Sequence, residues 1–103
     1  GTRSWKRGSD RTLCIMNIDA VQKAVRGYAN MHALTQGDSV PGLQGQIIGI
    51  GRFIENTPIC PGGGTYSFGA IAGNDTIPPI GTLYTECSLA GPNDHVPKHT
   101  EEW

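Results

Sequence analysis

Three cysteines and a histidine-containing tail carry the most distinctive side-chain chemistry of this chain. The cysteines stand at positions 14, 60 and 87, and the tail carries His95 and His99. Zinc sites usually contain close Cys-x2-Cys or His pairs, which the spacing of these cysteines does not provide. One disulfide bridge with one spare thiol is therefore the simpler interpretation.

Cys60 and Cys87 are the pair that we favour for the bridge. Each stands beside a short β-prone run with an aromatic residue, 65–68 and 81–87, and we expect these runs to pair as antiparallel strands. Closing the loop between the two cysteines would contribute roughly 3 kcal/mol through chain entropy. A stable bridge indicates a location outside the reducing cytosol.

Cys14 and the tail histidines support weaker functional interpretations. Cys14 lies on an apolar helical stripe, where a free cysteine is usually a buried, inert thiol. His95 and His99 are weak candidates for metal ligands, because Pro97 prevents the helical i, i+4 geometry between them. We therefore predict no native metal site and no cofactor.

Catalytic motifs are not evident in the sequence. The glycine run at 62–64 lacks the Lys-Ser/Thr pair of a phosphate-binding loop, so we interpret it as a tight turn. No pair of carboxylates and no Ser/His/Asp arrangement stands out for acid–base or nucleophilic chemistry. We predict that the protein is not an enzyme.

Length and charge limit the remaining classes. The 103 residues correspond to one domain, 1–103, with a thin core, and 15 glycines and 7 prolines indicate many loops. The net charge is −1, yet residues 1–26 carry six basic and two acidic groups. This basic arm is short and the rest of the chain is acidic, so we expect no nucleic-acid partner.

A long helix is the strongest predicted element. Apolar residues recur at steps of three and four, which predicts a helical spine over 10–36 behind a basic flank, 1–9. The helix should end near Gly37, and its start is open, since it could run back through Trp5. The apolar stripe consists of Cys14, Ile18, Val21, Val25, Tyr28 and His32, and the residues expected to face solvent are Asp19, Gln22, Lys23, Arg26 and Asn30.

The remaining segments complete a predicted α+β fold. Residues 38–56 have helical spacing with many glycines, so we favour a short helical segment, with a glycine-rich extended segment as the alternative. Residues 57–90 form a β region, and 91–103 an irregular tail. We therefore expect a long N-terminal amphipathic helix packed on a small antiparallel β-sheet.

Three motifs in this order resemble those of type IV pilin-like proteins, in particular the short pseudopilins of bacterial type II secretion and related systems. The helix opening Cys14–Asn17 is similar to a Cys-x-x-Asn motif, and Cys60–Tyr66 is similar to a Cys-Pro-x-Gly-Gly-x-Tyr turn and strand. The run Thr85–Leu89 resembles the last strand with its second cysteine, followed by a histidine-containing tail. The resemblance covers residues 9–90.

This resemblance implies a structural filament subunit of a bacterial secretion or pilus system, without catalysis. It implies self-association or contact with other pilin-like subunits. It also implies an inner-membrane anchor through an N-terminal apolar helix that these residues do not include, with a periplasmic or extracellular domain. The alternative is a small extracytoplasmic binding or adhesive module that uses the 69–80 loop and the C-terminal tail.

Overall fold

The chain forms a small α+β fold with a long N-terminal helix and a two-stranded antiparallel sheet. The computed structural model describes residues 2–69, 73, 75–97 and 100–103, with residues 2–9 and 93 described by their backbone alone. The elements in chain order are α1 (Thr2–Met31), α2 (Leu43–Ile47), β1 (Tyr66–Phe68), β2 (Thr85–Cys87) and α3 (Ala90–Asn93). The α+β class, the long helix and the small sheet are confirmed.

Helix α1 spans the long axis of the molecule. Thirty residues at 1.5 Å per residue give a rod of about 45 Å, and the molecule measures 48 × 29 × 17 Å. The helix begins at Thr2, which is the upstream extension that the sequence left open. Among the described residues, no helix combines the length and apolar character needed to cross a membrane.

The predicted helix end at residue 36 is wrong by five residues. Helix α1 ends at Met31, and Ala33 adopts a left-handed conformation with φ of +53°. The N–H of Leu34 then donates to the carbonyl of Ala29 at 2.7 Å, which closes the helix in the manner of a Schellman motif. Gly37, the predicted cap, instead donates its N–H to the carbonyl of Ile77 in the loop before β2.

One face of α1 carries the core. Its buried positions follow the predicted stripe as far as Val25 and continue to Ala29 one turn later, whereas His32 is exposed. The C-terminal half of this face packs against α2 and the ring of Tyr84. The residues of this main core are Val21, Ala24, Val25, Ala29, Leu43, Ile47, Ile77 and Tyr84.

The segment 38–56, for which we favoured a short helix, contains the short helix α2. Helix α2 has five residues, and Ile48 and Ile54 pair in an isolated parallel bridge beyond it. The loop between them places the ring of Phe53 against α1, where a Cβ on Gly27 would stand 3.2 Å from the ring. Gly27 therefore permits a close helix–loop contact despite its low helix propensity.

The β region is smaller than its predicted span of 57–90. Strands β1 and β2 have three residues each, and their register pairs Tyr66 with Cys87 and Phe68 with Thr85. The other described residues from 57 to 89 lie in turns and loops, apart from Thr76, which forms an isolated bridge with Ser39. The sheet lies against α1 through β2, whose residues Thr85 and Cys87 are buried.

The tail 91–103, which we predicted to be irregular, begins within helix α3, and its described residues after α3 are irregular and fold back onto α1. We expected Gln22 at the solvent face, but it is only 2 % exposed. Its side chain forms hydrogen bonds with the segment before β2 and with the C-terminal residue. Its side-chain N–H groups donate to the carbonyls of Thr82 at 3.0 Å and Trp103 at 3.1 Å, and its oxygen accepts from the N–H of Tyr84 at 2.9 Å. Arg26 also donates to the Trp103 carbonyl.

Replacing Gln22 tests this buried polar junction. In Gln22→Leu the N–H of Tyr84 and the carbonyl of Thr82 lose the partner that Gln22 supplies, while the Trp103 carbonyl keeps its bond from Arg26. We therefore expect the free energy of unfolding to fall by about 2 kcal/mol. Asn30→Leu makes the same kind of change at an exposed position of α1 and should stay within about 0.5 kcal/mol of the parent. Urea denaturation of both variants measures the difference, and equal midpoints would contradict the structural role of Gln22.

Candidate functional site

Four side chains from four separate segments meet at one buried point. Cys14 comes from α1, Cys60 from the loop before β1, Cys87 from the end of β2, and His95 from the tail just after α3. Their sulfur and imidazole nitrogen atoms all lie within 4.8 Å of one another. None of the four residues is more than 4 % exposed. We call this group the Cys3His cluster.

The helix and the sheet position the first and third of these residues. Cys14 lies one turn before Ile18 on the buried face of α1, so its sulfur points toward the sheet. Cys87 ends β2 opposite Tyr66 of β1. A second apolar group surrounds the cluster and separates it from solvent, and it consists of Ile18, Leu83, Tyr66, Leu89, Val96 and Trp103.

The glycine turn brings Cys60 into contact with the other members. The turn is closed by a hydrogen bond from the N–H of Gly63 to the carbonyl of Cys60 at 3.1 Å, which confirms the predicted tight turn. A Cβ on Gly64 would stand 2.6 Å from the sulfur of Cys87. A Cβ on Gly62 would stand 3.0 Å from the ring of His95. Glycine at both positions therefore lets the backbone approach the cluster.

Two of the three sulfurs accept a hydrogen bond from outside the cluster. The Tyr66 hydroxyl donates to Cys14 at 3.3 Å, and the N–H of Leu89 donates to Cys87 at 3.5 Å. The backbone groups of Gly62 and Gly64 beside Cys60 lower the pKa of its thiol. Donors aimed at sulfur stabilise thiolates, because they place positive charge at the atom that becomes negative.

Asn17 orients the Tyr66 hydroxyl, which donates a hydrogen bond to Cys14. Its side-chain N–H groups donate to the Tyr66 oxygen at 3.2 Å and to the carbonyl of Ile59 at 3.2 Å. Because the Tyr66 oxygen accepts from Asn17, its own proton is directed to Cys14. Asn17 thus links the helix to both β1 and the residue before Cys60, which gives a physical role to the Cys-x-x-Asn spacing.

The surroundings shift the pKa values of the three thiols in different directions. Burial raises the pKa of Cys14 to about 12 and also raises the pKa of Cys87. Burial alone would raise the pKa of Cys60 too, but hydrogen bonds from Cys14 and from the backbone of Gly64 and Gly62 outweigh it, so its pKa is lowered.

His95 completes the cluster from the tail. Its Nδ1 stands 3.5 Å from the sulfur of Cys60, and its backbone N–H donates to the carbonyl of Leu89 at 3.2 Å. The preceding residue, Asp94, accepts from Arg11 through both its carbonyl (2.8 Å) and its carboxylate (3.2 Å). These contacts tie the start of the tail to α1 and hold the imidazole in place.

The structure revises the site that the sequence predicted. Cys60 and Cys87 are brought together, but both are free thiols, so the predicted bridge between them is not present. Each sulfur instead contacts donors and a third cysteine, Cys14, which we predicted as a buried spare thiol. Of the two weak metal candidates, His95 joins the cluster, whereas His99 lies outside the described residues.

Sequence spacing does not reveal this cluster. The expected signature of close ligand pairs applies when one turn or one helix supplies two ligands, whereas each of these four side chains comes from a different segment. Two signals were available, namely the position of Cys14 on the buried helical stripe and the glycines that follow Cys60. Only the packing of the tail onto α1 shows that His95 belongs with them.

The Cys3His cluster has two chemical capabilities. Two of its thiols can form a disulfide, or all four groups can bind one metal ion. All four residues are almost fully buried, and Cys60 also borders a cavity of about 250 Å³. No family model, no curated protein and no solved structure matches this chain.

The close approach of the glycine turn leads to a prediction about Gly64. In Gly64→Ala the new methyl group collides with the sulfur of Cys87, so we expect the free energy of unfolding to fall by about 1–3 kcal/mol. Gly45→Ala is the matched control, because Gly45 in α2 has open space around its Cβ position. That control should be neutral or stabilising by up to about 1 kcal/mol. Thermal unfolding of both variants provides the comparison, and similar losses for the two would refute the close contact.

Proposed function

We propose that this chain is a structural, non-catalytic subunit of a bacterial secretion or pilus filament of the type IV pilin-like kind. The domain would lie in the periplasm or outside the cell, on a subunit held in the inner membrane by an apolar helix N-terminal to these residues. Its partners would be copies of itself or other pilin-like subunits. The motifs that resemble this family and the long helix with its small sheet support the proposal.

The observation that carries the proposal is the presence of apolar residues on both faces of α1. One face is buried under the sheet and loops. On the opposite face, Leu13 and Met16 are 45 % and 59 % exposed, and Ala20 lies one turn further along. Exposed apolar side chains in a row on a helix favour contact with another apolar surface. A subunit that packs through its helix would cover this strip.

The enclosed Cys3His cluster supports a structural role over a catalytic one. A nucleophile or a catalytic metal needs an open position for substrate. The cluster instead joins the helix, the glycine turn, the last strand and the tail beneath an apolar layer. This arrangement holds the head of the subunit together.

The alternative of a binding module on the 69–80 loop and the tail gains less support. The tail is engaged with α1, since Trp103 accepts hydrogen bonds from Gln22 and Arg26 through its carbonyl. Part of the 69–80 loop, residues 70–72 and 74, lies outside the described residues.

Assembly should depend on the exposed strip of α1. We expect Leu13→Ser combined with Met16→Ser to lower the amount of protein in sheared filaments by roughly tenfold or more, because burying each side chain contributes about 1.5–3 kcal/mol. The thermal midpoint of the isolated domain should not change, since both side chains are exposed. Immunoblots of filament and membrane fractions from source cells that express the full-length protein measure this.

Ile50→Ser is the control for this experiment. It removes an apolar side chain that is 90 % exposed but lies outside α1. Assembly that tolerates the Leu13/Met16 pair as well as it tolerates Ile50→Ser would contradict a role for the strip. A full-length protein without about 20 apolar residues upstream of the domain, or one found in neither membrane nor filament fraction, would refute the proposed function itself.

A further inference from the structure

We propose that Cys14, Cys60, Cys87 and His95 bind one zinc ion in a structural, four-coordinate site. This inference goes beyond the filament proposal and does not depend on it. The ion would join α1, the glycine turn, β2 and the tail at a single point. The zinc ion would cross-link this small domain in place of the predicted Cys60–Cys87 disulfide.

The donor atoms stand at distances that suit one tetrahedral ion. Zinc lies about 2.3 Å from sulfur and about 2.0–2.1 Å from imidazole nitrogen, so donor atoms around a tetrahedral ion are roughly 3.5–3.8 Å apart. The sulfur of Cys60 and the Nδ1 of His95 are 3.5 Å apart, and the four donor atoms all lie within 4.8 Å of one another. Small movements of side chains therefore complete the site.

The donor set identifies the ion class. Three cysteines and one histidine are a common ligand set of structural zinc sites. Calcium and magnesium require oxygen donors, and these four side chains supply none to the shared space. An iron–sulfur cluster binds its cysteines through separate iron atoms, which needs a wider spacing of ligands than this cluster has. A single thiophilic divalent ion is the species that fits.

The surroundings of the sulfurs match those of bound thiolates. Metal-bound ligands are oriented and stabilised by hydrogen bonds from a second layer of residues. Here Tyr66 donates to Cys14, and Leu89 donates to Cys87. Two separate segments thus direct donors at two of the sulfurs, one of which is Cys14, outside the predicted disulfide pair.

A disulfide accounts for only part of the cluster. A bond between Cys60 and Cys87 requires an oxidant that accepts two electrons and two protons, and it leaves Cys14 and His95 without a function. Zinc binding requires no electron transfer: each thiol that binds releases its proton to solvent, and the imidazole binds in its neutral form. The metal therefore uses all four groups that the fold buries together.

The first experiment measures metal and thiols on the 103-residue chain. The protein is purified under reducing conditions without a polyhistidine tag, and its zinc content is measured by mass spectrometry. We expect one zinc per chain, three thiols that react with a thiol reagent only after a chelator is added, and a lower melting temperature in the chelator. Replacing zinc with Co²⁺ should give the visible absorption of a tetrahedral ion and a thiolate-to-cobalt charge-transfer band.

Paired histidine variants identify the fourth ligand. His95→Gln should weaken zinc binding by about 100-fold or more, measured by competition with a chromogenic chelator, because ligand loss costs more than the 10- to 100-fold of a second-layer change. His32→Gln is the matched control, since His32 is exposed and lies beside Tyr28 at the far end of α1. It should bind zinc like the parent. Cys14→Ser should also weaken binding and change the cobalt spectrum.

Each of three results would overturn the proposal. A Cys60–Cys87 disulfide with one free thiol and no zinc, in protein purified without oxidant, would show that the bridge is the native state. Three free thiols in protein that binds neither zinc nor cobalt would show plain buried thiols. Equal affinities of His95→Gln and His32→Gln would show that metal binds elsewhere. None of these measurements depends on filament assembly, so they leave the proposed function to its own test.

Discussion

The fold depends on how closely the backbone of the glycine turn approaches the helix, the last strand and the tail. Gly64 lies against the sulfur of Cys87, and Gly62 lies against the ring of His95. A side chain at either position would push the turn outward and separate Cys60 from the other members of the cluster. Two strands of three residues are too short to form a stable sheet alone, so contacts around this point determine where β1 and β2 lie on α1.

Two sets of polar contacts from α1 hold the rest of the chain in place. Near its middle the helix presents Cys14 and Asn17 to the glycine turn and β1, and two turns later it presents Gln22 and Arg26 to the C-terminal residues. The main apolar core lies at the C-terminal end of the helix, against α2 and Tyr84. A domain of this size buries little apolar surface. Specific buried polar contacts therefore supply a larger share of its stability than they do in larger domains, and a zinc ion bound by the Cys3His cluster would add to that share.

The filament proposal and the zinc proposal describe different faces of the same helix. The buried face of α1 carries the cluster and the core, which hold the head together, while the exposed apolar residues Leu13 and Met16 face away from it. A subunit that transmits force needs a head that does not unfold when its neighbours pull on it. A zinc ion bound by four segments would resist such unfolding, because no segment could detach without losing its bond to the metal.

The sequence determined the elements that depend on local periodicity and turn chemistry. The steps of three and four predicted α1 and most of its buried stripe, and the β-prone runs beside Cys60 and Cys87 predicted the paired strands. Local pattern did not determine where α1 ends, because the left-handed conformation of Ala33 is fixed by the turn that leads to α2. The helical pattern also predicted Gln22 on the solvent face. That prediction is wrong, because the tail packs onto α1, buries the Gln22 side chain and supplies hydrogen-bond partners for it. The packing of the tail onto α1 also completes the Cys3His cluster. Its members are Cys14, Cys60, Cys87 and His95, which come from four separate segments, and no spacing rule relates them. Tertiary packing brought these four side chains together, because each comes from an element whose position is set by the others.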